Sequence, residues 1–261
     1  MFIIDSHCHL NDEALYPKVD ELLDEAHKND VGIIICPSDT IKSSRLAIEL
    51  ANKHEEIYAA IGIHPSEVKN TTIDYLIELK KLFNESPKIV AVGEIGLDYQ
   101  WDKDEEIKKK QRDAFINQIH LANELHLPII VHSRDAIEDT LKILKEHKPI
   151  CGGVMHCYSG PAELVDDFIK IGMYISFGGP VTFTNAKTPK EACLKTPLDK
   201  LLVETDSPYL SPHPFRGQEN HPARVKLVLQ SVANIKNISE EKASLVTSQN
   251  VAKLFHVKTN I

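Results

Sequence analysis

A (β/α)8 barrel with additional C-terminal helices is the fold class this sequence predicts, and three observations predict it. Short runs rich in Ile and Val recur about eight times, each followed by a longer amphipathic stretch, the alternation of βα units on a parallel sheet. The chain has 261 residues, the length of one such barrel. No composition shift, linker or low-complexity segment divides it, so residues 1–261 are expected to form a single TIM-barrel domain.

The strands are read, in order, from "FIIDSHCH", "GIIICPS", "IYAAIGIHP", "KIVAVGEIGLDY", "PIIVHSRD", "GGVMHCYSG", "GMYISFGGP" and "KLLVETDSP". Helical patterns separate them, among them "YPKVDELLDEAHKN", "SSRLAIELANKHEE" and "QRDAFINQIHLANELH". Two further helices, near "PARVKLVLQSVANI" and "SEEKASLVTSQNVAKLF", close the chain. A doubly wound open sheet is the main alternative. It would normally bring a glycine-rich phosphate turn after the first strand, and "DSHCHLND" has none. "GEIGLD" lacks the required glycine spacing and sits mid-chain.

Composition narrows the function. With 42% hydrophobic and 26% charged residues the chain is an ordinary globular protein. No apolar run approaches the roughly 18 residues of a membrane span, and no cleavable leader pattern opens the sequence, so a cytoplasmic location without membrane partners is expected. The five cysteines are scattered and form no CxxC pair, which reads as free thiols. A net charge of −8 argues against coating nucleic acid through a broad basic face, although bound cations can supply positive charge locally. The basic run "KKKQR" follows the acidic "DKDEE" in a helical pattern and reads as a solvated helix face. No obligate protein partner is evident.

The residues that end the strands carry the chemistry. His7 and His9 follow "FIID", and residues two apart on a strand project from one face. His64 follows "IYAAIGI", Glu94 follows "KIVAVG", His132 follows "PIIV", His156 follows "GGVM" and Asp206 follows "KLLVET". All are metal-binding types, and in a barrel strand ends far apart in sequence converge on one mouth. Cys8, between the two histidines, should point toward the helices as a buried thiol. His27, His54, His120, His126 and His147 fall on helical patterns or at their ends and read as helix-surface residues. Even without His64, four imidazoles and two carboxylates exceed the four ligands of a tetrahedral ion, and a catalytic ion also keeps a position for water. Two ions sharing a carboxylate fit better, with Glu94 placed to give one oxygen to each. The mixed ligands suit Zn, Mn, Co and, less well, Mg.

"DSHCHL", "GIHP", "GEIGLDY", "HSRDA", "MHCYSG", "ETDSPYL" and "RGQENHP" together resemble the successive signatures of the TatD family of metal-dependent deoxyribonucleases, within the amidohydrolase superfamily. The resemblance runs in order from residue 5 to about residue 225. It implies a (β/α)8 barrel and divalent-metal-dependent hydrolysis of phosphodiester bonds in DNA, with RNA as a second candidate. It also implies that His7, His9, Glu94 and Asp206 surround one ion and Glu94, His132 and His156 the other. Asp206 is then the candidate to accept a proton from the attacking water, or a ligand without proton transfer. His64 either contacts substrate or orients a ligand. Arg134 either forks onto a phosphate or pairs with a nearby acid, and Tyr158 and Ser159 are expected at the mouth. The loop "SPHPFRGQENHP" brings His213, Arg216 and His221 near the last strand's end. The expected activity is 3′-to-5′ exonuclease action on single strands. A cyclic-amide C–N hydrolase of the same superfamily is the rival, but many such enzymes bridge their metals with a carboxylated lysine where Glu94 stands. A non-catalytic metal-binding barrel is the third reading.

Overall fold

The β-branched runs do form strands, and each meets its sequence neighbour. A computed structural model describes residues 1–72, 74–101 and 103–259. Its strands are Ile3–Asp5 (β1), Val31–Cys36 (β2), Ile57–Ile61 (β3), Ile89–Asp98 (β4), Ile129–Arg134 (β5), Gly153–Met155 (β6), Met173–Phe177 (β7) and Leu201–Val203 (β8). All pair in parallel in the order β1 to β8. The ring closes through residues just past the ends of β1 and β8. Ser6 N–H donates to Val203 O at 3.2 Å, Asp206 N–H to His7 O at 2.9 Å and His9 N–H to Ser207 O at 2.8 Å. This is a TIM barrel, as the alternating pattern predicts.

The helices between the strands are Val19–Lys28 (α1), Ile41–Lys53 (α2), Tyr75–Phe83 (α3), Glu105–Leu125 (α4), Ile137–Glu146 (α5), Val165–Lys170 (α6) and Lys187–Lys195 (α7). Val225–Lys236 (α8) and Glu240–Phe255 (α9) follow the last strand. Their ends are set by local chemistry. Thr40 caps α2 with a reciprocal box to Ser43, and Asp104 caps α4 by accepting from Glu106 and Ile107 N–H. At the other end of α2, Lys88 Nζ donates to Ala51, His54 and Glu55 carbonyls, satisfying acceptors the helix leaves open. α4 begins six residues before the predicted pattern and takes in the basic run, where Lys110 pairs with Glu106 and Lys109 with Asp113 on the surface. Asp102, the first residue of the acidic run, lies outside the described residues.

Two apolar layers divide the strand residues by their period of two. One face, with Ile3, Ile34, Ile61, Ile129 and Val203, packs against the helices. The other, with Ile4, Ile35, Ala60, Ile130, Val154 and Leu202, fills the barrel interior, where Val251, Leu254, Phe255 and Val257 join it. The end of α9 therefore closes the barrel at the N-terminal ends of the strands. Ser244 and Ser248 hydroxyls donate to Phe2 O and Asn250 Nδ2 donates to Leu201 O, fixing that plug. No described helix is long and apolar enough to cross a membrane.

Three strands keep only three residues each of the stretches read for them. "FIIDSHCH" leaves the ladder after Asp5, "GGVMHCYSG" after Met155 and "KLLVETDSP" after Val203. Asp5 shows why. Its carboxylate accepts from His7 N–H at 3.2 Å, Thr205 N–H at 2.9 Å and the Thr205 hydroxyl at 2.6 Å, so side-chain bonds replace ladder bonds there. His7, His9, His64, His156 and Asp206 thus sit one to four residues past their strands, and His132 and Glu94 on the strands themselves, at the C-terminal mouth.

Candidate metal centre

Every residue predicted to bind metal converges on the Glu94 carboxylate, which is buried at the mouth. Glu94 Oε2 lies 3.2 Å from His7 Nε2 and 3.4 Å from His9 Nε2. Glu94 Oε1 lies 2.8 Å from His132 Nδ1, 2.9 Å from His156 Nε2 and 3.5 Å from His64 Nε2. Asp206 Oδ1 faces the first group, 3.5 Å from His7 Nε2 and 3.7 Å from His9 Nε2. The two carboxylate oxygens are thereby divided between two sets of imidazoles.

The donor set fits divalent cations. His7 Nε2 and His9 Nε2 face each other at 3.0 Å, and His132 Nδ1 and His156 Nε2 at 3.4 Å. Nitrogens bound to one ion at about 2.0–2.1 Å stand roughly 3.0–3.4 Å apart. Three overlapping groups bring one donor atom of each residue within 4.8 Å of the others: His7 with His9 and Glu94, His7 with His156 and Asp206, and His64 with Glu94 and His132. His64 joins Glu94 and His132 more closely than its expected supporting role suggests.

Carboxylates behind the rings decide which nitrogen faces the centre. His132 Nε2–H donates to Asp98 Oδ2 at 3.1 Å, leaving Nδ1 as the lone-pair donor. His156 Nδ1–H donates to Glu204 Oε1 at 3.1 Å, and the same oxygen accepts Cys157 N–H at 2.7 Å. Asp39 Oδ2 stands 3.8 Å from His9 Nδ1. Sequence reading missed these three acids. Asp98 and Glu204 were legible as residues on the faces of their segments that carry Glu94 and Asp206; Asp39 had no such signal. Two buried glutamines of α4 were also missed. Gln118 bonds both Ile63 N–H and Ile63 O, and Gln111 both Asp98 N–H and Asp98 O, pinning the chain beside His64 and at Asp98 itself.

Electrostatics separates the two acids at the centre. Burial pushes the Glu94 carboxyl up, but His156, His7 and His64 overcome it and hold it well below the carboxylate range. Burial prevails at Asp206, whose carboxyl is raised despite His156, His7 and His9. His9 is pushed up to about 9: burial opposes protonation, but Asp39 and Glu94 outweigh it. His64 is pushed down to about 4 by burial and by His132.

The remaining expectations divide. Arg134 lies exposed at the rim, its guanidinium 5.6 Å from the Trp101 ring, and among the described residues no acid pairs with it. Ser159 lines a cavity of about 520 Å3, bounded also by Tyr99, Ser133 and Asp135 and by none of the clustered histidines or acids. Tyr158 corrects the expectation of a place at the mouth. It is 4% exposed, packed edge-on to Phe168 and Phe177, with its hydroxyl on Pro161 O, because an aromatic ring there completes the layer under the helices. His221 reaches Glu25 of α1 at 3.9 Å, and Arg216 lies over Phe183, so neither bonds to the cluster. Cys8 is fully buried in the helix-facing layer, as its register predicts.

A TIM barrel whose mouth gathers buried histidines and acids in this way defines a metal-dependent hydrolase. The chain belongs to the TatD-related DNase family, whose model matches residues 4–256. It is similar to the uncharacterized metal-dependent hydrolase YabD of Bacillus subtilis, at 43% identity over 98% of this chain and 99% of that one. YcfH of Escherichia coli, likewise named an uncharacterized metal-dependent hydrolase, is 41% identical over 98% of this chain and 97% of its own. Among solved structures, YJJV, a TatD homologue from Escherichia coli, superposes with a TM-score of 0.93 at 29% identity, covering 98% of both chains.

Proposed function

We propose that residues 1–261 act as one nuclease domain that hydrolyses phosphodiester bonds of single-stranded DNA, from the 3′ end, with RNA as a second substrate. The observation that carries this reading is the division of the Glu94 oxygens between two imidazole sets. His7, His9, Glu94 and Asp206 would hold one divalent ion and Glu94, His132 and His156 a second, from among Mg, Mn, Zn or Co. Such ions supply what an anionic diester needs, namely neutralised phosphoryl oxygens and a water of lowered pKa. Family membership supports a nucleic-acid substrate.

The protein's own groups divide the remaining work. Glu94, held ionised, keeps both sets in register. Asp206, lifted by burial and open to the mouth, takes the proton of the attacking water. His64 is a donor rather than a base. Ser66 N–H donates to its Nδ1 at 3.2 Å, so the ring proton sits on Nε2, which points into the centre and meets a substrate oxygen or the leaving group. Asp98 and Glu204 keep His132 and His156 in the tautomers that present a lone pair.

The test is metal-replete protein with end-labelled single and duplex strands of DNA and RNA. Single-stranded DNA should shorten progressively from its 3′ end, stop with a chelator and resume with added metal. Asp206→Asn should lower kcat by about 10² to 10⁴ at saturating metal, since an amide accepts no proton from water. Hydrolysis of dihydropyrimidines with no nuclease activity under Mg, Mn, Co or Zn would overturn the reading in favour of the C–N hydrolase.

A further inference from the structure

Resting on the nuclease reading, we propose that Trp101 and Arg134 form a nucleotide-binding subsite at the rim of the mouth. A base of the single strand stacks on the indole there, and an adjoining phosphate meets the guanidinium. Trp101 is the chain's sole tryptophan, and it is 71% exposed. An indole left in water forfeits the burial that makes the residue useful in a core, and its broad apolar face is what an unpaired base stacks on.

Its place in the fold ties that face to the centre. Arg134 is the last residue of β5, two beyond His132, so its Cα lies about 7 Å further along the same strand face. It pairs in register with Asp98, the residue that holds His132, and Trp101 follows Asp98 by three positions. Tyr99 N–H donates to Arg134 O at 2.9 Å and Lys103 Nζ to Tyr99 O at 2.8 Å, which fastens the loop carrying the indole. The guanidinium sits 5.6 Å from the indole centre, near enough for a cation–π contact that orients both. Among the described residues it has no acid or carbonyl partner, so its fork is available to a phosphate. Ser133 and Asp135, on either side of Arg134 in the chain, line a cavity shared with Tyr99 and Ser159.

Because Trp101 is the only indole, its fluorescence reports the subsite without any turnover. Metal-replete protein is titrated with a short oligothymidylate carrying hydrolysis-resistant phosphorothioate linkages, and in parallel with an abasic strand of equal length. The base-bearing strand should quench the emission saturably and the abasic strand should not. Trp101→Ala should weaken oligothymidylate binding, read by anisotropy of an end label, about five- to a hundredfold, while Trp101→Phe retains most of it. In cleavage, wild type should prefer the base-bearing strand to the abasic one by kcat/KM, and Trp101→Ala should erase that preference. Arg134→Lys should weaken both strands alike, because charge remains and the fork is lost. Equal quenching by both strands, or Trp101→Ala with unchanged binding and preference, overturns the subsite. If no strand is cut by any variant, the nuclease reading falls, and base-dependent quenching alone then decides whether the nucleotide subsite stands.

Discussion

Asp98 has two oxygens and both are committed, Oδ1 to Gln100 N–H at 3.0 Å and Oδ2 to His132 Nε2 at 3.1 Å. An asparagine there keeps one acceptor and must abandon one bond. Asp98→Asn should therefore loosen the ring and weaken metal binding about 10- to 100-fold, read by competition with a coloured chelator in a folded protein. Glu94→Gln should go further and reduce the metal content per chain by elemental analysis, because a neutral amide is a poor bridge. Cys8→Ser should leave metal content unchanged, since that side chain lies on the helix-facing side. The residues that gather at the mouth were legible one by one because each stands at the end of an apolar run. Asp98 and Glu204 were marked only by sharing a face with Glu94 and Asp206, and their part in holding the rings was not legible, because a carboxylate bonded to an imidazole across the barrel has the same local sequence signature as one facing water. Tyr158 misled for the converse reason: two residues beyond His156 a strand would put both on one face, but Cys157 between them turns with a φ of 43° and Tyr158 joins the layer under the helices.

At the scale of elements, α4 does more than cover β3 and β4. Gln118 is buried and satisfies the N–H and the carbonyl of Ile63, the residue before His64. Gln118→Met keeps the volume but leaves two buried backbone groups unpaired, at about 1–3 kcal/mol each, and should lower the urea midpoint at unchanged slope. Gly96, between Glu94 and Asp98, has φ of 140°, and a Cβ there would meet His132 O at 2.0 Å. Gly96→Ala should destabilise the protein by roughly 2–5 kcal/mol, from backbone strain and overpacking together, in the same unfolding measurement. Strand number and order follow from the repeating apolar runs, which is why the barrel was readable. Strand ends were not, since Asp5 stops β1 with side-chain bonds to Thr205, 200 positions away. A glutamine that clips a neighbouring strand is equally invisible, because helix periodicity marks it only as a polar residue on an inward face.

For the whole molecule, the centre concentrates ionisable groups that repel one another or demand protons until a cation arrives. Burial and mutual repulsion oppose protonation of His7, whereas His9 and His156 are held protonated against burial by the acids around them. Metal binding must therefore expel protons, and adding metal to stripped protein in weak buffer near neutral pH should acidify the solution. The sign is fixed: protons compete with the metal, so affinity falls as pH falls. Removal of metal should also lower thermal stability, by about 2.7 kcal/mol relative to protein at a hundred times the dissociation constant, which scanning calorimetry would read as several degrees. The clasp between Phe2 and the serines of α9, 242 and 246 positions apart, has a consequence for how the molecule is made. At about 5–20 residues per second, the ribosome delivers the two halves of that clasp some tens of seconds apart. Until residues 201–203 follow, β1 has no β8 to meet, and the emerging sheet shows two open edges. The newborn chain thus gains its ring when β8 emerges and its plug only when α9 follows, and a nascent-chain chaperone would find its substrate in that unfinished barrel.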